Sequence, residues 1–324
     1  MSLKVRKMNW LIGLVVAIVV VLGLFFMAGG QLIALDYKDF PQDKLEKLIT
    51  SNPLETTLTI SGPLEVEVSS SMTTWAMMLL PGTFFIDVRI NGRKASLVVD
   101  TGAAQSFISP EIAVAAQISL TSSRLTVQHG RREVPVYTGH VQEMELGNLK
   151  IKDISVIVGG EQPVIKLVGL PVWHLDGVLG MEPLQRLALT LDYARRIVVL
   201  RREASPPQGP SAPLQIIRES GPGNLEHPKP TVECFVNNSG PFPCFIDTGT
   251  SAPAFVPREI WQSLGLEGQK QTRLDIKLRE LELKEVPSIR ANVKYITIGS
   301  NIFQAQGFKR LTLDFLAGKL YAER

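Results

Sequence analysis

The sequence predicts an all-β protein of two similar lobes that follow an N-terminal membrane-spanning helix. One pattern of strands, turn and short helix occurs twice, at an offset of 147 residues. Apolar alternation typical of strands dominates both copies, and few long helical patterns compete with it. One long uncharged apolar run lies near the N-terminus. These three observations define the predicted fold class.

Residues 10–28 are the predicted transmembrane anchor. Their 19 positions carry no charge, and about 19 residues at ~1.5 Å rise cross the hydrocarbon core of a bilayer. The cations Lys4, Arg6 and Lys7 precede the run. Because flanking cations stay inside, residues 1–9 are expected in the cytoplasm and the lobes on the extracytoplasmic side, the periplasm if the source is bacterial. A cleaved signal peptide is the alternative, since small residues follow the run.

Charge and composition exclude several classes of protein. The chain has 34 basic and 31 acidic residues. Three of the basic residues precede the apolar run, so the remainder carries 31 of each sign. A neutral body argues against nucleic-acid binding, which needs a basic face. Two cysteines and four histidines are too few for a disulfide scaffold or a structural zinc site, so no metal is expected.

Residues 29–79 are expected to be a stalk or a pro-like segment between the anchor and the first lobe. Apolar residues spaced i, i+3, i+4 predict a short amphipathic helix over residues 41–50. Strand signals at residues 56–60 and 64–68 leave open an extra strand pair. A segment that occupies a cleft until it is removed is the third alternative.

The two lobes are predicted over residues 80–202 and 231–324, joined by a Pro/Gly-rich linker at residues 203–230. Each copy reads as a strand, a tight Asn/Gly turn, a second apolar strand, a loop and a short helix that begins near a proline. The strand signals lie at residues 84–90, 125–128, 134–137, 141–146, 151–158 and 274–283. The first lobe is longer between its markers, so it carries an insertion. Residues 125–137 are expected to be a hairpin, either a flap over a cleft or a surface hairpin.

The triplet Asp-Thr-Gly occurs twice, at Asp100 and Asp247. At average composition, such a triplet is expected about 0.06 times in a chain of this length. Each copy follows three apolar or nearly apolar residues, so a hydrophobic strand delivers each carboxylate to a turn. Ordinary turn chemistry explains one Asp-Thr-Gly. Two copies in matched surroundings favour a functional pair.

The two triplets with their surroundings resemble the aspartic peptidases of the pepsin and retropepsin type. The matching stretches are residues 97–109 and 244–256, with residues 178–180 and 297–299 resembling the second hydrophobic–glycine element of each lobe. Asp-Thr-Gly-Ala is similar to the retropepsins, whereas Asp-Thr-Gly-Thr is nearer the pepsin pattern. The resemblance implies a bilobal pepsin-like fold made of tandem retropepsin-like β-barrel lobes.

By this resemblance, Asp100 and Asp247 are the catalytic pair and face each other across a pseudo-twofold cleft. Two carboxylates roughly 3 Å apart cannot both ionise, so they share a proton. One then activates a water, and the protonated partner donates to the scissile carbonyl. No metal or other cofactor is implied. Because one chain supplies both aspartates, no catalytic dimer is required.

The resemblance also assigns supporting roles to the residues that follow each aspartate. Thr101 and Thr248 would join the two loops through hydrogen bonds. Gly102 and Gly249 would allow the backbone to approach the carboxylates closely.

Two further features carry expectations. The hydroxyl of Thr250 can hydrogen-bond a carboxylate and favour its charged form, which Ala103 cannot do. We therefore expect a less acidic pH optimum than in enzymes with hydroxyls at both positions. Cys234 and Cys244 flank a predicted turn on facing strands, so they form either a cross-strand disulfide or two buried thiols.

The sequence therefore predicts a membrane-anchored aspartic endopeptidase that acts on a protein or peptide substrate. The alternative is a catalytically silent, membrane-tethered peptide-binding or scaffolding protein. Two intact triplets favour the enzyme, because a binding module needs no pair of mutually repelling carboxylates. Residues 10–28 contain no aspartate, which excludes an intramembrane aspartyl protease. The chain also lacks the Gly-x-Ser-x-Gly and His-Glu-x-x-His motifs of serine and zinc peptidases.

Overall fold

The structure is a computed structural model that describes residues 33–50, 57–71, 80–129, 132–167, 170–206, 209–220 and 226–324. The chain divides into two compact units, Met1–Phe40 with Glu161–Leu175 and Pro41–Gly160 with Asp176–Arg324. The membrane helix predicted over residues 10–28 lies outside the described residues. Within the described ranges, no helix is long and apolar enough to cross a membrane.

The described chain is mostly β-structure with five short helices, which confirms the all-β class. The elements up to the first aspartate are β1 (Ile33–Asp39), α1 (Gln42–Glu46), β2 (Thr59–Ser61), β3 (Glu65–Ser69), β4 (Phe85–Ile90) and β5 (Arg93–Val99). There follow β6 (Ser106–Ile108), α2 (Pro110–Ala115), β7 (Ser119–His129), β8 (Arg132–Leu146), β9 (Leu149–Gly159), β10 (Glu161–Leu167), β11 (Leu170–His174), β12 (Gly177–Leu179), α3 (Met181–Leu184), β13 (Ala188–Asp192) and β14 (Ile197–Arg201). The remainder forms β15 (Ser211–Ser220), β16 (Glu226–Val236), β17 (Ser239–Asp247), β18 (Ala254–Pro257), α4 (Arg258–Ser263), β19 (Gln271–Leu278), β20 (Leu281–Ala291), β21 (Ile296–Gly299), α5 (Ser300–Ala305), β22 (Arg310–Asp314) and β23 (Lys319–Glu323).

The smaller unit is a three-stranded antiparallel sheet in the order β1-β10-β11. Two of its strands, β10 and β11, are inserted in the chain between β9 and β12. This hairpin accounts for part of the predicted insertion in the first lobe. Strand β7 accounts for another part, because the equivalent strands of the second lobe, β19 and β20, correspond to β8 and β9. The predicted hairpin at residues 125–137 exists as the pair β7–β8, whose tip at residues 130–131 lies outside the described residues.

The larger unit contains two lobes with matching topology. In the first lobe, β12 runs parallel to β5 and antiparallel to β6, and β6 runs parallel to β9. In the second lobe, β21 runs parallel to β17 and antiparallel to β18, and β18 runs parallel to β20. A short helix follows β6 and β18 in turn, as the two prolines predict. The internal repeat is therefore a repeat of architecture as well as of sequence.

Both lobes bury the apolar faces of these strands. Leu97 and Val99 on β5 are fully buried, and so is Ile246 on β17. Burying a Leu, Val or Ile side chain contributes about 2 kcal/mol each, so the strands that carry the two aspartates are firmly held. Trp261 on α4 is the largest fully buried side chain.

A continuous run of strands connects the lobes. In a 12-stranded sheet that contains the strands of the second lobe, β13 pairs with β22, β14 pairs with β13 and β3, and β23 pairs with β22 and β15. Thr190 and Thr312 face each other at the centre of the β13–β22 pair, with hydroxyl oxygens 2.7 Å apart. Strands β13 and β22 occupy equivalent positions in the two copies of the repeat. Their pairing therefore joins the two lobes through equivalent strands.

The segment before the first lobe differs from the expected stalk or strand pair. Strand β2 pairs with β9 and β3 pairs with β14, so they join two different sheets instead of each other. The predicted amphipathic helix over residues 41–50 is only five residues long, and of its apolar side chains Leu45 is buried while Ile49 is 37% exposed. Residue Ile49 instead forms an isolated bridge with Leu120.

Two boundaries inside the repeat also differ from the sequence-based expectation. Residues 211–220 and 226–230, expected as linker, belong to β15 and β16. Prolines fit there because β15 changes its pairing partner from β23 to β16 next to Pro213. The offset of 147 residues between the two copies becomes 146 at the hairpin turns, where Asn91–Gly92 corresponds to Asn237–Asn238 and all four residues have positive φ. A register irregularity between β16 and β17 accommodates the additional residue.

Cys234 and Cys244 form a disulfide between β16 and β17, with Cα atoms 5.8 Å apart. Both residues are fully buried. The structure thereby selects the cross-strand disulfide over the two buried thiols.

Candidate active site

Two buried parallel strand pairs bring the two aspartates to the centre of the larger unit. The N–H of Asp100 donates to the carbonyl of Leu179 on β12 at 3.0 Å. On the other side, β17 ends at Asp247, which pairs with Gly299 on β21. Each aspartate therefore lies at the end of an apolar strand, beside a second strand that ends at Leu179 in the first lobe and at Gly299 in the second.

The two carboxyl groups lie side by side. The N–H of Gly102 donates to Oδ1 of Asp100 at 2.6 Å, and the N–H of Gly249 donates to Oδ1 of Asp247 at 2.9 Å. A Cβ atom placed on Gly102 would lie 2.9 Å from Oδ1 of Asp100 and 2.8 Å from Oδ1 of Asp247. A Cβ on Gly249 would lie 2.6 Å from Oδ2 of Asp100. Only glycine fits at both positions, because any side chain would collide with the carboxyl groups.

The two threonines connect the lobes through four buried hydrogen bonds. The hydroxyl of Thr101 donates to the carbonyl of Ile246 at 2.7 Å, and the hydroxyl of Thr248 donates to the carbonyl of Val99 at 2.8 Å. Each threonine N–H in turn donates to the hydroxyl of the other threonine, at 3.0 and 3.1 Å. Both side chains are completely buried. Each hydroxyl is thus donor and acceptor at once, and the two aspartate loops are held as one unit.

The electrostatics of the pair favour one shared proton. Burial, together with the neighbouring Asp100 carboxyl, raises the pKa of Asp247 to about 7. Burial also raises the pKa of Asp100, while hydrogen bonds from the N–H groups of Gly102, Ala103 and Gly249 oppose that rise. Since Asp100 receives the larger number of N–H donors, it is the better site for the negative charge. The shared proton therefore rests mainly on Asp247.

Thr250 uses its hydroxyl within its own loop. Its Oγ1 accepts a hydrogen bond from the N–H of Ala252 at 3.3 Å. The raised pKa of each aspartate has burial as its largest cause. The contrast between Thr250 and Ala103 is therefore secondary to burial in setting the protonation of the pair.

Sequence reasoning did not single out three residues that surround the pair. The hydroxyl of Ser106 accepts the N–H of Gly180 at 3.1 Å, which joins β6 to the end of β12. The side-chain amide of Asn301 donates to the carbonyls of Ser251 and Ala252 at 3.0 and 3.1 Å, which holds the loop after Asp247.

The third residue is Lys229 on β16, whose ammonium lowers the pKa of Asp247. The antiparallel pairing of β16 with β17 on either side of the turn at Asn237–Asn238 could have predicted that Lys229 lies near Asp247. The hydrogen-bond partners of Ser106 and Asn301 are residues distant in the chain, so no local signal pointed to them.

Among the residues that the structure describes, no group of three or more His, Cys, Asp or Glu side chains could hold a metal ion. The chemistry available at the pair is that of two carboxyl groups with one proton.

Comparisons with known proteins give a family match over part of the chain and a distant structural similarity. Residues 86–186 match the family described as "gag-polyprotein putative aspartyl protease". No curated protein matches the chain. Among solved structures, a retropepsin-like aspartic protease from Rickettsia conorii is similar to this chain, with 20% sequence identity and a TM-score of 0.27. The similar region covers 45% of this chain and 94% of the Rickettsia chain.

Proposed function

We propose, from the match of residues 86–186 to an aspartyl-protease family and from the geometry of the aspartate pair, that the chain is a membrane-anchored aspartic endopeptidase of the retropepsin type. Asp100 and Asp247 hydrolyse a peptide bond with a water activated between them. The observation that carries the proposal is the pair of adjacent, half-buried carboxyl groups, one from each lobe, whose loops are joined by the hydrogen bonds of Thr101 and Thr248. Since both aspartates come from one chain, a catalytic dimer is not required.

The proposed reaction begins with Asp100 charged and Asp247 protonated. Asp100 takes a proton from the water as the water oxygen attacks the carbonyl carbon, and Asp247 gives its proton to the carbonyl oxygen. In the resulting gem-diol, Asp100 passes its proton to the amide nitrogen, and a diol hydroxyl returns a proton to Asp247. The carbon–nitrogen bond then breaks to a carboxylic acid and an amine, and the pair regains its starting state.

The rigid support of the pair is consistent with this chemistry. A preorganised site needs no rearrangement as charge moves between groups during the reaction. Gly102 and Gly249 each donate an N–H to one carboxyl group, which orients both groups before the substrate arrives. The burial that raises both pKa values also keeps one proton on the pair near neutral pH.

Cleavage of a peptide library by the full chain tests the proposal. We expect cleavage between pH 3 and 8, inhibition by a statine-type compound, and a loss of about 10³-fold or more in Asp100→Asn and in Asp247→Asn. Asparagine keeps the size of the side chain, so these variants should fold. Equal cleavage by all three chains contradicts the proposed pair. Peptide binding without cleavage favours the silent binding protein instead.

Membrane anchoring is a separate part of the proposal. It rests on the uncharged run at residues 10–28 and the three cations before it. We expect the full chain to resist alkaline extraction from membranes, and a chain lacking residues 1–30 to be released. Added protease should digest the lobes only from the extracytoplasmic side. Release of the full chain by alkali contradicts the anchor but leaves the peptidase proposal standing.

A further inference from the structure

Lys229 lies beside the candidate pair on the same face of the sheet as Asp247. Thr231 on β16 pairs with Phe245 on β17. Continuing this antiparallel register by two residues brings Lys229 opposite Asp247. The ammonium of Lys229 lies 4.6 Å from the centre of the Phe245 ring, which is the geometry expected of neighbours on one face. Lys229 is partly exposed, so its head group remains accessible.

The ammonium of Lys229 lowers the pKa of both Asp247 and Glu219 but forms no ion pair with a described residue. Its neighbour across β15 is the apolar Ile217. The nearby Glu219 accepts hydrogen bonds from the Lys294 ammonium and, at 2.6 Å, from the Tyr295 hydroxyl. Lys294 therefore balances Glu219. Within the described part of the chain, no carboxylate lies within ion-pair distance of Lys229.

The first lobe has no counterpart to this cation. The register of β4 and β5 pairs Phe85 with Val98, and the same continuation brings Thr83 opposite Asp100. Thr83 is a buried neutral residue, 7% exposed. Among the described residues at these two equivalent positions, a positive charge therefore flanks the aspartate of the second lobe and not that of the first. If Lys229 only supported the fold beside the aspartate, the equivalent position in the first lobe would need a similar residue, and it has Thr83 instead.

We propose that Lys229 and the Phe245 ring form a subsite that binds an acidic side chain of the peptide substrate on the Asp247 side of the scissile bond. The Phe245 ring contacts the ammonium from one side, and the N–H groups that point away from the ring can pair with a carboxylate. The inference rests on the proposed function, because it requires a peptide that lies across the two aspartates. It names the substrate class as peptides with Glu or Asp flanking the cleaved bond.

Matched peptides that carry Glu, Gln or Lys at a single flanking position test the inference with the full chain. Where that position lies on the Asp247 side, we expect kcat/KM to be about three- to tenfold higher for Glu than for Gln, and lower still for Lys. Lys229→Met should remove the preference, Lys229→Glu should reverse it, and Lys229→Arg should retain it. Lys277→Met is the matched control, since Lys277 pairs with Glu282 on a solvent-exposed strand pair, and it should behave as the parent chain.

Peptide binding separates failure of the inference from failure of the proposed function. The Asp100→Asn chain keeps Lys229 and should bind the Glu peptide more tightly than the Lys peptide by fluorescence anisotropy. Adding Lys229→Met should abolish this difference. If the parent cleaves nothing but the binding difference depends on Lys229, the proposed function fails and the subsite remains. An identical preference with and without Lys229 overturns the subsite, whatever the cleavage results.

Discussion

Replacing Thr248 by valine removes one hydroxyl from the centre of the molecule and keeps the shape of the side chain. That hydroxyl donates to the carbonyl of Val99 at 2.8 Å and accepts the N–H of Thr101 at 3.0 Å. Valine offers neither interaction. Thr248→Ser is the matched control, because it keeps the hydroxyl and removes only a methyl group.

The cost follows from the burial of these groups. Thr101 and Thr248 are completely inaccessible to water, so a polar group that loses its partner there finds no replacement. Each such loss costs about 1–3 kcal/mol, and two losses lower the free energy of unfolding by about 2–6 kcal/mol. The serine variant loses about 1 kcal/mol for its missing methyl group. At about 2 °C per kcal/mol for a chain of this size, Tm should fall by about 4–12 °C for valine and about 2 °C for serine.

Calorimetry of the parent, Thr248→Val and Thr248→Ser chains measures these shifts directly. Peptide cleavage gives a second readout, because the same bonds orient the loops of both aspartates. We expect kcat/KM to fall at least about tenfold for valine and less than about threefold for serine. Equal Tm values for the two variants would show that the buried hydroxyl of Thr248 stabilises the fold no more than its methyl group does, which contradicts the prediction.

Three further predictions address the glycines, the pH dependence and the disulfide. Gly249→Ala should abolish cleavage, because the added Cβ collides with the carboxyl group of Asp100. Gly268→Ala is the control and should cleave as the parent does, because the space around Gly268 is open. Full activity of both variants would contradict the close approach of Gly249 to the carboxyl group. The pKa of Asp247 is raised in the folded chain to about 7, so folding is favoured below its unfolded pKa of about 4 and loses that contribution as pH rises towards 7. Denaturant titrations should therefore show Asp247→Asn gaining stability relative to the parent between about pH 4 and 8, and a constant difference would contradict the assignment. Reduction of Cys234–Cys244, which closes a loop of sequence separation 10, should lower the free energy of unfolding by roughly 3 kcal/mol in denaturant titrations, and an unchanged midpoint would show that the bond does not stabilise the fold.

Several features of the fold follow from local sequence signals. Alternating apolar residues predict the strands because a strand has two faces, and the residues near Asn91 and Asn237 predict turns because they tolerate positive φ. The helices after Pro110 and Pro257 follow from the fixed φ of proline. These signals act over a few residues, so they are readable without knowing the partners of each strand.

The insertion in the first lobe shows where local signals become insufficient. The different spacings after Asp100 and Asp247 indicate additional residues, but length alone does not say which strand they pair with. Strands β10 and β11 join β1 from the start of the chain. Likewise β3 reaches β14 across more than 120 residues. Pairing at such separation depends on complementary faces and on the entropy of loop closure, and neither has a signature in a short window.

The two aspartates, their threonine and glycine neighbours and the strand-and-turn frame of each lobe can be predicted from the sequence, because each depends on residues that are close in the chain. The sharing of a proton, the carbonyl that each threonine hydroxyl reaches and the position of Lys229 beside Asp247 depend on the tertiary structure. A turn or strand is stabilised by neighbours in the chain, whereas a pKa or a buried hydrogen bond depends on groups brought together from both lobes.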